Sequence, residues 1–422
     1  MRVLIVNTSE RTGGAAVAAN RLMRALNNNG VKTKMLVREK ETDTLTVAEL
    51  PRSFRLRWHF LWERLVVFFH LHFQRRPLFE IDIANVGSDI TKLREFQEAD
   101  IIHIHWINQG MLSLGGIRKI LRSGKPVVWT MHDIWPATAI CHVTLGCRSF
   151  TTQCKNCRLL PGRGSSSDLS TSVWLKKQRM TRDENIYYVA CSRWLESEAK
   201  RSALLKGQKI VSIPNPIDTH IYKRGDKQKA RQRLGLPLDR KLILFASQRV
   251  TNENKGMRYL IEACQHLTEC QTLCEVEVVI LGGHAEEVVE LLPLKAIPLG
   301  YVNDEQRIVD VYNAADVFVL PSLSENLPNT IMEAMACGVP CVGFKVGGIP
   351  EEIDHLRNGY VAEYRSAEDL AKGIRWILTE ADYEALSRHA VQKVAQCYSQ
   401  QSVAMKYLDV YHQAQAFKHY KL

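Results

Sequence analysis

Two glutamates, Glu325 and Glu333, stand in one segment with seven residues between them. An apolar run over 316–321 predicts a buried strand before them, and Pro328 favours the first position of a following helix. The amides and positive dipole end of such a helix can hold a diphosphate, so carboxylates beside it should accept hydrogen bonds from the hydroxyls of a sugar and a ribose. The alternative is an acidic loop followed by a solvated helix face.

Two cations follow another predicted strand, 242–247. Arg249 follows it after one residue, and Lys255-Gly256 opens the next predicted helix. Cations at a strand-to-helix junction suit a diphosphate, because negative charge grows on this leaving group as its bond to the sugar breaks. An ordinary polar loop is the alternative.

In the first half of the chain, imidazoles stand at the ends of two predicted strands. His132 follows the strand 127–131, and His103 and His105 end another. His132 is therefore expected at the edge of a ligand cleft, unless it is a structural hydrogen-bonding residue. After the first strand, Gly13-Gly14 would let backbone amides approach a phosphate or sugar, although the pair also fits a plain turn.

Strands alternate with helices along the whole chain, which predicts βαβ units and parallel sheets. A segment with two prolines, 212–218, separates two such series. We therefore predict an α/β fold with two Rossmann-like, doubly wound domains facing across a cleft, at 1–212 and 213–400. The last helix, within 401–422, is expected to pack back on the first domain. Ligands bind such sheets at the carboxyl ends of the strands, so the cleft is the expected active site.

Charge is divided unevenly over the 422 residues. Residues 1–212 hold 33 Lys and Arg against 18 Asp and Glu, a net of +15, whereas the remainder has a net of −4. The basic half suggests an anionic surface or ligand. Nucleic acid is not the expected partner, because the basic residues form no recognition helix. No apolar run reaches the ~18 residues that span a bilayer, so the protein is expected in the cytoplasm.

Four cysteines fall within 17 residues: Cys141, Cys147, Cys154 and Cys157. Their spacing, which ends in C-x2-C, fits a structural zinc site in which four thiolates leave no open position for catalysis. Free or redox-active thiols are the alternatives.

The segment from Arg52 to Arg76 holds six arginines and one glutamate, interleaved with aromatic and aliphatic residues at near-helical spacing. This pattern is typical of an interfacial helix that lies on an anionic membrane. The alternative is a buried helix whose arginine stems lie along the protein surface.

Several motifs together resemble the retaining glycosyltransferases of family 4, which have the GT-B fold. They are Glu325-x7-Glu333, Arg249 with Lys255-Gly256, the 213–218 linker, 347–351 (GGIPE) and 358–360 (NGY). The stretch 130–161 is similar to the subgroup that builds bacterial exopolysaccharide, colanic-acid-like or capsule repeat units.

The resemblance implies a role for each matching position. His132 and Glu325 would be the catalytic-site residues, with Glu325 on the hydroxyls of the transferred sugar and His132 facing sugar and acceptor. The implied donor-binding residues are Gly14, Arg249, Lys255, Asn329, Thr330 and Glu333, with Glu333 on the ribose. Pro328 departs from the family, where glycine is common, and removes one amide contact. Catalysis would need no metal, and zinc on the cysteines would shape a loop near the acceptor.

The predicted function is transfer of a sugar from a nucleotide-diphosphate donor to a glycan acceptor, expected to be lipid-linked, in bacterial surface polysaccharide synthesis. The protein would work at the inner face of the cytoplasmic membrane. A sugar-nucleotide epimerase of the same architecture is the alternative enzyme. A non-enzymatic nucleic-acid binder or inactive partner subunit is a third hypothesis, although an inactive partner would be expected to lose some of these charged residues.

Overall fold

The computed structural model describes residues 1–51, 54–269 and 275–419. The chain forms two compact units. The first comprises Met1–Pro214 and the chain from Val403 onward, and the second comprises Asn215–Ser402. The boundaries predicted from the sequence are 212/213 and 400/401.

The first unit is built on a seven-stranded sheet in which every pair of neighbours is parallel. Its strands are β1 (Arg2–Val6), β2 (Lys32–Val37), β3 (Val47–Glu49), β4 (Ile101–Ile104), β5 (Val127–Met131), β6 (Tyr187–Ala190) and β7 (Lys209–Ser212). Their order is β3-β2-β1-β4-β5-β6-β7, so the direction of winding reverses between β1 and β4. The strands are near-continuous apolar runs because helices cover both faces of the sheet.

Helices flank this sheet on both sides. They are α1 (Gly14–Asn28), α2 (Phe54–His70), α3 (Arg94–Glu98), α4 (Leu114–Leu121), α5 (Leu169–Thr181), α6 (Arg193–Lys200) and the last helix of the chain, α15 (Gln400–His419). On one face, Leu22 and Leu26 of α1 share a core with Tyr407 and Tyr411 of α15. The second to sixth helices contribute to the core on the other face. Residues 420–422 lie outside the described part.

The second unit has a six-stranded parallel sheet. Its strands are β8 (Lys241–Arg249), β9 (Val276–Gly283), β10 (Ala296–Gly300), β11 (Val317–Leu320), β12 (Cys341–Phe344) and β13 (Gly359–Ala362). The order β10-β9-β8-β11-β12-β13 reverses between β8 and β11. Its helices are α7 (Lys227–Leu234), α8 (Met257–Glu269), α9 (Glu286–Val289), α10 (Glu305–Ala314), α11 (Asn329–Ala336), α12 (Ile349–Glu352), α13 (Ala367–Thr379) and α14 (Tyr383–Cys397).

Two Rossmann-like doubly wound sheets thus confirm the predicted α/β class. Such sheets bind ligands at the carboxyl edge beside the reversal of strand order. In the first unit this edge follows β1 and β4, and in the second it follows β8 and β11. Among the helices in the described part of the chain, none is both long enough and apolar enough to cross a bilayer.

Candidate active site

At the carboxyl edge of the second sheet, Lys255 and Glu325 meet. Lys255 ends a 3-10 turn (Glu253–Lys255) after β8, and Glu325 lies in the loop after β11. The two strands are neighbours where the strand order reverses, so their loops converge. The Nζ of Lys255 donates a hydrogen bond to Oε1 of Glu325, and both side chains are half-buried. The structure therefore brings together a predicted phosphate-binding cation and a predicted sugar-binding carboxylate.

Two glycines allow this convergence. A Cβ on Gly256, whose φ is +72°, would lie 1.8 Å from the backbone oxygen of Pro321. A Cβ on Gly347, at φ +56°, would lie 1.7 Å from the backbone oxygen of Glu325. Any other residue would therefore push the loops apart and would also be strained at positive φ. The loops are joined further by the amide of Leu323, which donates to the oxygen of Asn254 over 2.8 Å.

Helix α11 begins beside this pair. Pro328 is its N-cap and the helix starts at Asn329, so the expectation that Pro328 opens the first turn was wrong by one residue. In this fully described segment no side chain caps the helix, and the first turn, which includes Thr330, holds no acidic residue. Most longer helices of the chain differ, because a Ser or Asp N-cap side chain bonds their first turn. The positive end of the α11 dipole is thus not neutralised by an acidic residue of its own first turn.

Glu333 lies in the second turn of α11 and is only 8% exposed. The phenol of Tyr312, on α10, donates a hydrogen bond to its Oε2 over 2.8 Å. Burial and the charge of Glu333 raise the pKa of the Tyr312 phenol well above its usual range, so it remains a donor. Tyr312 was not predicted from the sequence, because it looks there like one more apolar residue on the inner face of a helix.

Arg249 lies at the end of β8 and is exposed. Its Nε donates to the hydroxyl of Thr251 over 3.0 Å. Arg249 thus lies at the same strand end as the Lys255 loop, but this hydrogen bond stays within its own loop.

Glu352, at the end of α12, was also missed. Its side chain is fully buried, and among the described residues neither carboxyl oxygen has a hydrogen-bond partner. Burial and, after it, the charge of Glu325 raise its pKa well above the usual range. The raised pKa favours the protonated, uncharged form of this carboxyl.

In the first unit, His132 follows β5 and contacts two side chains. Its Nε2 lies 2.9 Å from Nδ1 of His105, and its Nδ1 lies 3.5 Å from Sγ of Cys191. Burial lowers the pKa of His132 to about 4 and that of His105 well below its usual range. Both imidazoles are neutral at pH 7, so one shared hydrogen joins them. Nε2 of His105 is buried and has no partner among the described residues.

His103 continues this network towards the C-terminal helix. Its Nδ1 and Nε2 bond the hydroxyls of Tyr411 and Thr130, at 2.8 and 2.7 Å. The hydroxyl of Thr130 in turn lies 2.9 Å from that of Tyr407. Two tyrosines of α15 thus fix the polar groups behind His132.

His142 is held between two carboxylates. Its ring nitrogens lie 2.8 Å from Asp133 and 2.7 Å from Asp82. Burial opposes its charge, but the charge of Asp133 and the bonds to both carboxylates raise its pKa to about 10. Asp82 also accepts from Arg64 of α2, and Asp133 accepts from the indole of Trp106 over 3.1 Å. This network, which holds the residue after His132, was not predicted.

The loop after β1 presents the start of α1. Gly13 is the N-cap at φ +92° and the helix begins at the exposed Gly14; within this described loop no side chain caps it. A Cβ on Gly13 would meet no atom within 4 Å, so only the backbone angle requires glycine. The carboxylate of Glu41 accepts from the amides of Arg11 and Thr12 and holds the loop in place.

The four clustered cysteines lie between β5 and α5 as half-buried free thiols. In the described part of the chain, no group of three or more His, Cys, Asp or Glu side chains is arranged to hold a metal ion. The structure therefore does not present the predicted ligand set, and zinc binding stays a prediction.

Helix α2 covers most of the basic aromatic segment, although residues 52 and 53 lie outside the described part. One side is buried, with Val67 and Leu71 in the core and Arg64 bonded to Asp82. The other side exposes large apolar residues, which we call the aromatic stripe: Trp58, Leu61, Trp62, Leu65, Phe69 and, just after the helix, Phe73. Each is between 42% and 62% exposed. The buried side agrees with the alternative of a helix packed in the domain, whereas contact with a membrane stays a prediction.

Comparisons with known proteins match both halves of the chain. The family described as "Glycosyl transferases group 1" matches residues 240–380, and "Glycosyltransferase Family 4" matches residues 12–221. A D-inositol 3-phosphate glycosyltransferase of Xylanimonas cellulosilytica is 31% identical over 338 residues, 75% of this chain and 72% of that protein. An uncharacterized glycosyltransferase of Methanocaldococcus jannaschii is 26% identical over 79% of this chain and 89% of its own length.

Solved structures share the fold over nearly the whole chain. Sucrose-phosphate synthase from Thermosynechococcus elongatus superposes with a TM-score of 0.69 at 17% identity, covering 98% of this chain and 99% of that one. HepE from Anabaena, solved in complex with UDP-glucose, gives a TM-score of 0.65 at 17% identity and covers 98% and 100%.

Proposed function

The chain belongs to the group 1, family 4 glycosyltransferases of the GT-B fold, and from this we propose that it moves a sugar from a nucleotide-diphosphate donor to a lipid-linked glycan acceptor in bacterial surface polysaccharide synthesis. The observation that carries the proposal is the Lys255–Glu325 pair beside the uncapped start of α11. Both matching families are glycosyltransferases, which gives no support to an epimerase or to a non-enzymatic protein.

The donor would be held by the second unit. Glu333 would accept hydrogen bonds from the ribose, and the first amides of α11, at Asn329 and Thr330, would face the diphosphate. Lys255 and Arg249 would neutralise that diphosphate. Phosphate charge would draw Lys255 away from Glu325 and leave this carboxylate to accept from the hydroxyls of the sugar. That HepE was solved with UDP-glucose supports a nucleotide sugar as the class of donor.

The acceptor would meet the first unit, where Gly14 would lie against the donor and His132 would face the acceptor. The neutral imidazole would have to exchange its contact with His105 or Cys191 for the acceptor hydroxyl, to which it would then donate or from which it would accept a hydrogen bond. We propose retention at the anomeric carbon. The bond to the acceptor oxygen forms on the face from which the diphosphate leaves, and the acceptor proton passes to the leaving phosphate. The step is proposed without a metal, and activity retained in a chelator tests this.

The lipid on the acceptor would bring the enzyme to the inner face of the cytoplasmic membrane. The aromatic stripe supplies apolar side chains on a fixed helix, and the half of the chain that carries it has a net charge of +15. Amphipathic helices of this kind bind anionic surfaces, and the cytoplasmic leaflet is anionic.

Thermal unfolding with a panel of nucleotide sugars tests the proposal. A donor that binds the folded state raises the melting temperature. We expect Glu333→Gln to lose this shift, while Glu290→Gln, an exposed control in the same unit, keeps it. Transfer is then followed as release of the nucleotide when a lipid-linked acceptor is added. A panel without any shift, or equal shifts in the two variants, would overturn the assignment.

A further inference from the structure

A groove of about 570 Å³ lies between α3 and α4 in the first unit. Its lining holds five cations and a single carboxylate, that of Asp89; the cations are Lys92, Arg118, Lys119, Arg122 and Lys125. Lys119 bonds Asp89 over 2.6 Å, and Lys125 donates to backbone oxygens at the end of α3. The groove therefore has a strong excess of positive charge, and most of it is exposed.

This cationic groove lies on the same face of the sheet as the aromatic stripe. The second to fourth helices share one core, to which Val67, Phe96 and Ile117 belong. A second groove, of about 350 Å³, is lined by Val66 and His70 of α2 and extends to Gly115 of α4. Gly115 also lines the cationic groove, so the two grooves adjoin at α4, and the second groove reaches α2 at Val66 and His70, which follow the stripe residues Leu65 and Phe69 in sequence.

The groove is not a further part of the donor site. Arg122 and Lys125 lie between the end of α4 and the beginning of β5, at the amino edge of the sheet. Doubly wound sheets bind their nucleotides and substrates at the opposite, carboxyl edge. The position of Arg122 and Lys125 therefore argues for a role of the groove outside the reaction proposed above.

We propose that this groove binds the phosphate groups of anionic phospholipids while the aromatic stripe is inserted in the bilayer. The inference rests on the proposed membrane contact and deepens it, because it names the lipid chemistry. Apolar side chains insert into any bilayer, whereas lysine and arginine favour surfaces with net negative charge. Guanidinium groups such as that of Arg118 also bind phosphate oxygens in pairs.

Sedimentation of the full chain with vesicles tests the inference. One set of vesicles is pure phosphatidylcholine, and the other contains about a third phosphatidylglycerol. In the groove variant, Lys92→Glu with Arg118→Glu, we expect binding to the anionic vesicles to fall about tenfold, to the level seen with phosphatidylcholine. The control, Lys155→Glu with Lys206→Glu, reverses as many exposed charges in the same unit and should bind within twofold of the wild type.

The stripe variant, Trp62→Ser with Phe69→Ser, separates the two proposals. It should lose binding to both kinds of vesicle while melting at the wild-type temperature. If it binds as the wild type does, the membrane contact itself is wrong. If the stripe variant loses binding but the groove variant binds as its control does, only the proposal that the groove binds lipid phosphate is wrong. The groove variant is also tested with random-sequence DNA at the same salt concentration. If it loses binding to DNA as strongly as it loses binding to anionic vesicles, the lipid assignment is overturned.

Discussion

Tyr312 donates its phenol hydrogen to Oε2 of Glu333 over 2.8 Å, and both side chains are buried. A buried carboxylate that receives a neutral donor keeps one orientation, because rotation would leave both groups without their bond. The residue proposed to bind the ribose is therefore positioned by a neighbour on a different helix.

Tyr312→Phe removes only the phenol oxygen. We expect the dissociation constant of the donor to rise about tenfold with kcat changed less than about twofold, since hydrogen bonds to charged groups contribute roughly 1.5–3 kcal/mol. Calorimetry and steady-state kinetics measure the two effects. Tyr301→Phe, at an exposed position, is the control. With a donor whose ribose lacks its hydroxyls the penalty should vanish, and an equal penalty there would mean that the phenol has a structural role only.

The meeting of Lys255 and Glu325 was within reach of the sequence. Both follow apolar runs that predict parallel strands, and the carboxyl ends of parallel strands share one edge of the sheet. The glycines after Lys255 and before α12 indicate close backbone approach, which the structure shows at Pro321 and Glu325.

Other parts of the site could not be predicted, because their partners are far apart in sequence and their residue types are ordinary. Asp82 and His142 are 60 positions apart, and Tyr411 and His103 are 308 apart. No local pattern marks such pairs, since only the packing of helices on the sheet brings them together. Position alone also gave no indication that His132 binds His105 and Cys191.

Lys255→Ala is expected to lower kcat/KM about 100-fold, because a cation fixed at a developing negative charge contributes mainly in the transition state. A matched control exists in the same unit, where Lys295 bonds Glu277 over 3.1 Å away from the site. Lys295→Ala should leave kcat/KM within about twofold of the wild type. Similar losses in the two variants would show that Lys255 only stabilises the fold.

Gly256→Ala should abolish donor binding, since the new Cβ would lie 1.8 Å from the oxygen of Pro321 and would separate the two loops. Gly235→Ala is the matched control. Gly235 has nearly the same φ, +66°, but a Cβ there would meet no atom within 4 Å. The control should therefore be destabilised by about 1 kcal/mol and still bind the donor. Urea unfolding measures the stability of both variants, and thermal shifts measure their donor binding. Normal donor binding by Gly256→Ala would show that close approach of the Lys255 and Glu325 loops is not required.

The clustered cysteines give a test of the zinc prediction. Burial raises the pKa of Cys141 to about 11 and that of Cys154 to about 12, so both thiols should react slowly with a disulfide reagent at pH 8 and rapidly after unfolding. Bound zinc would instead require thiolates. The zinc content of protein purified without chelator is measured in parallel. One zinc per chain that is lost in Cys154→Ser would confirm the prediction from spacing, and zinc-free protein would refute it.

The buried His142 predicts how stability depends on pH. Its pKa is about 10 in the folded protein, against about 6.5 when unfolded, so it stabilises the fold fully below about pH 6.5 and loses this contribution as pH rises to 10. Lys177 contributes to the pH dependence of stability in the opposite sense. Burial lowers its pKa to about 7, so the cost of burying its charge falls as pH rises above that value. The quantity to compare is therefore the difference in unfolding free energy between wild type and His142→Asn, measured in urea from pH 6 to 10. We expect this difference to shrink steadily over that range, whereas the difference for His220→Gln, at an exposed position, should stay constant. A difference for His142→Asn that does not change with pH would mean that the imidazole between Asp82 and Asp133 is uncharged.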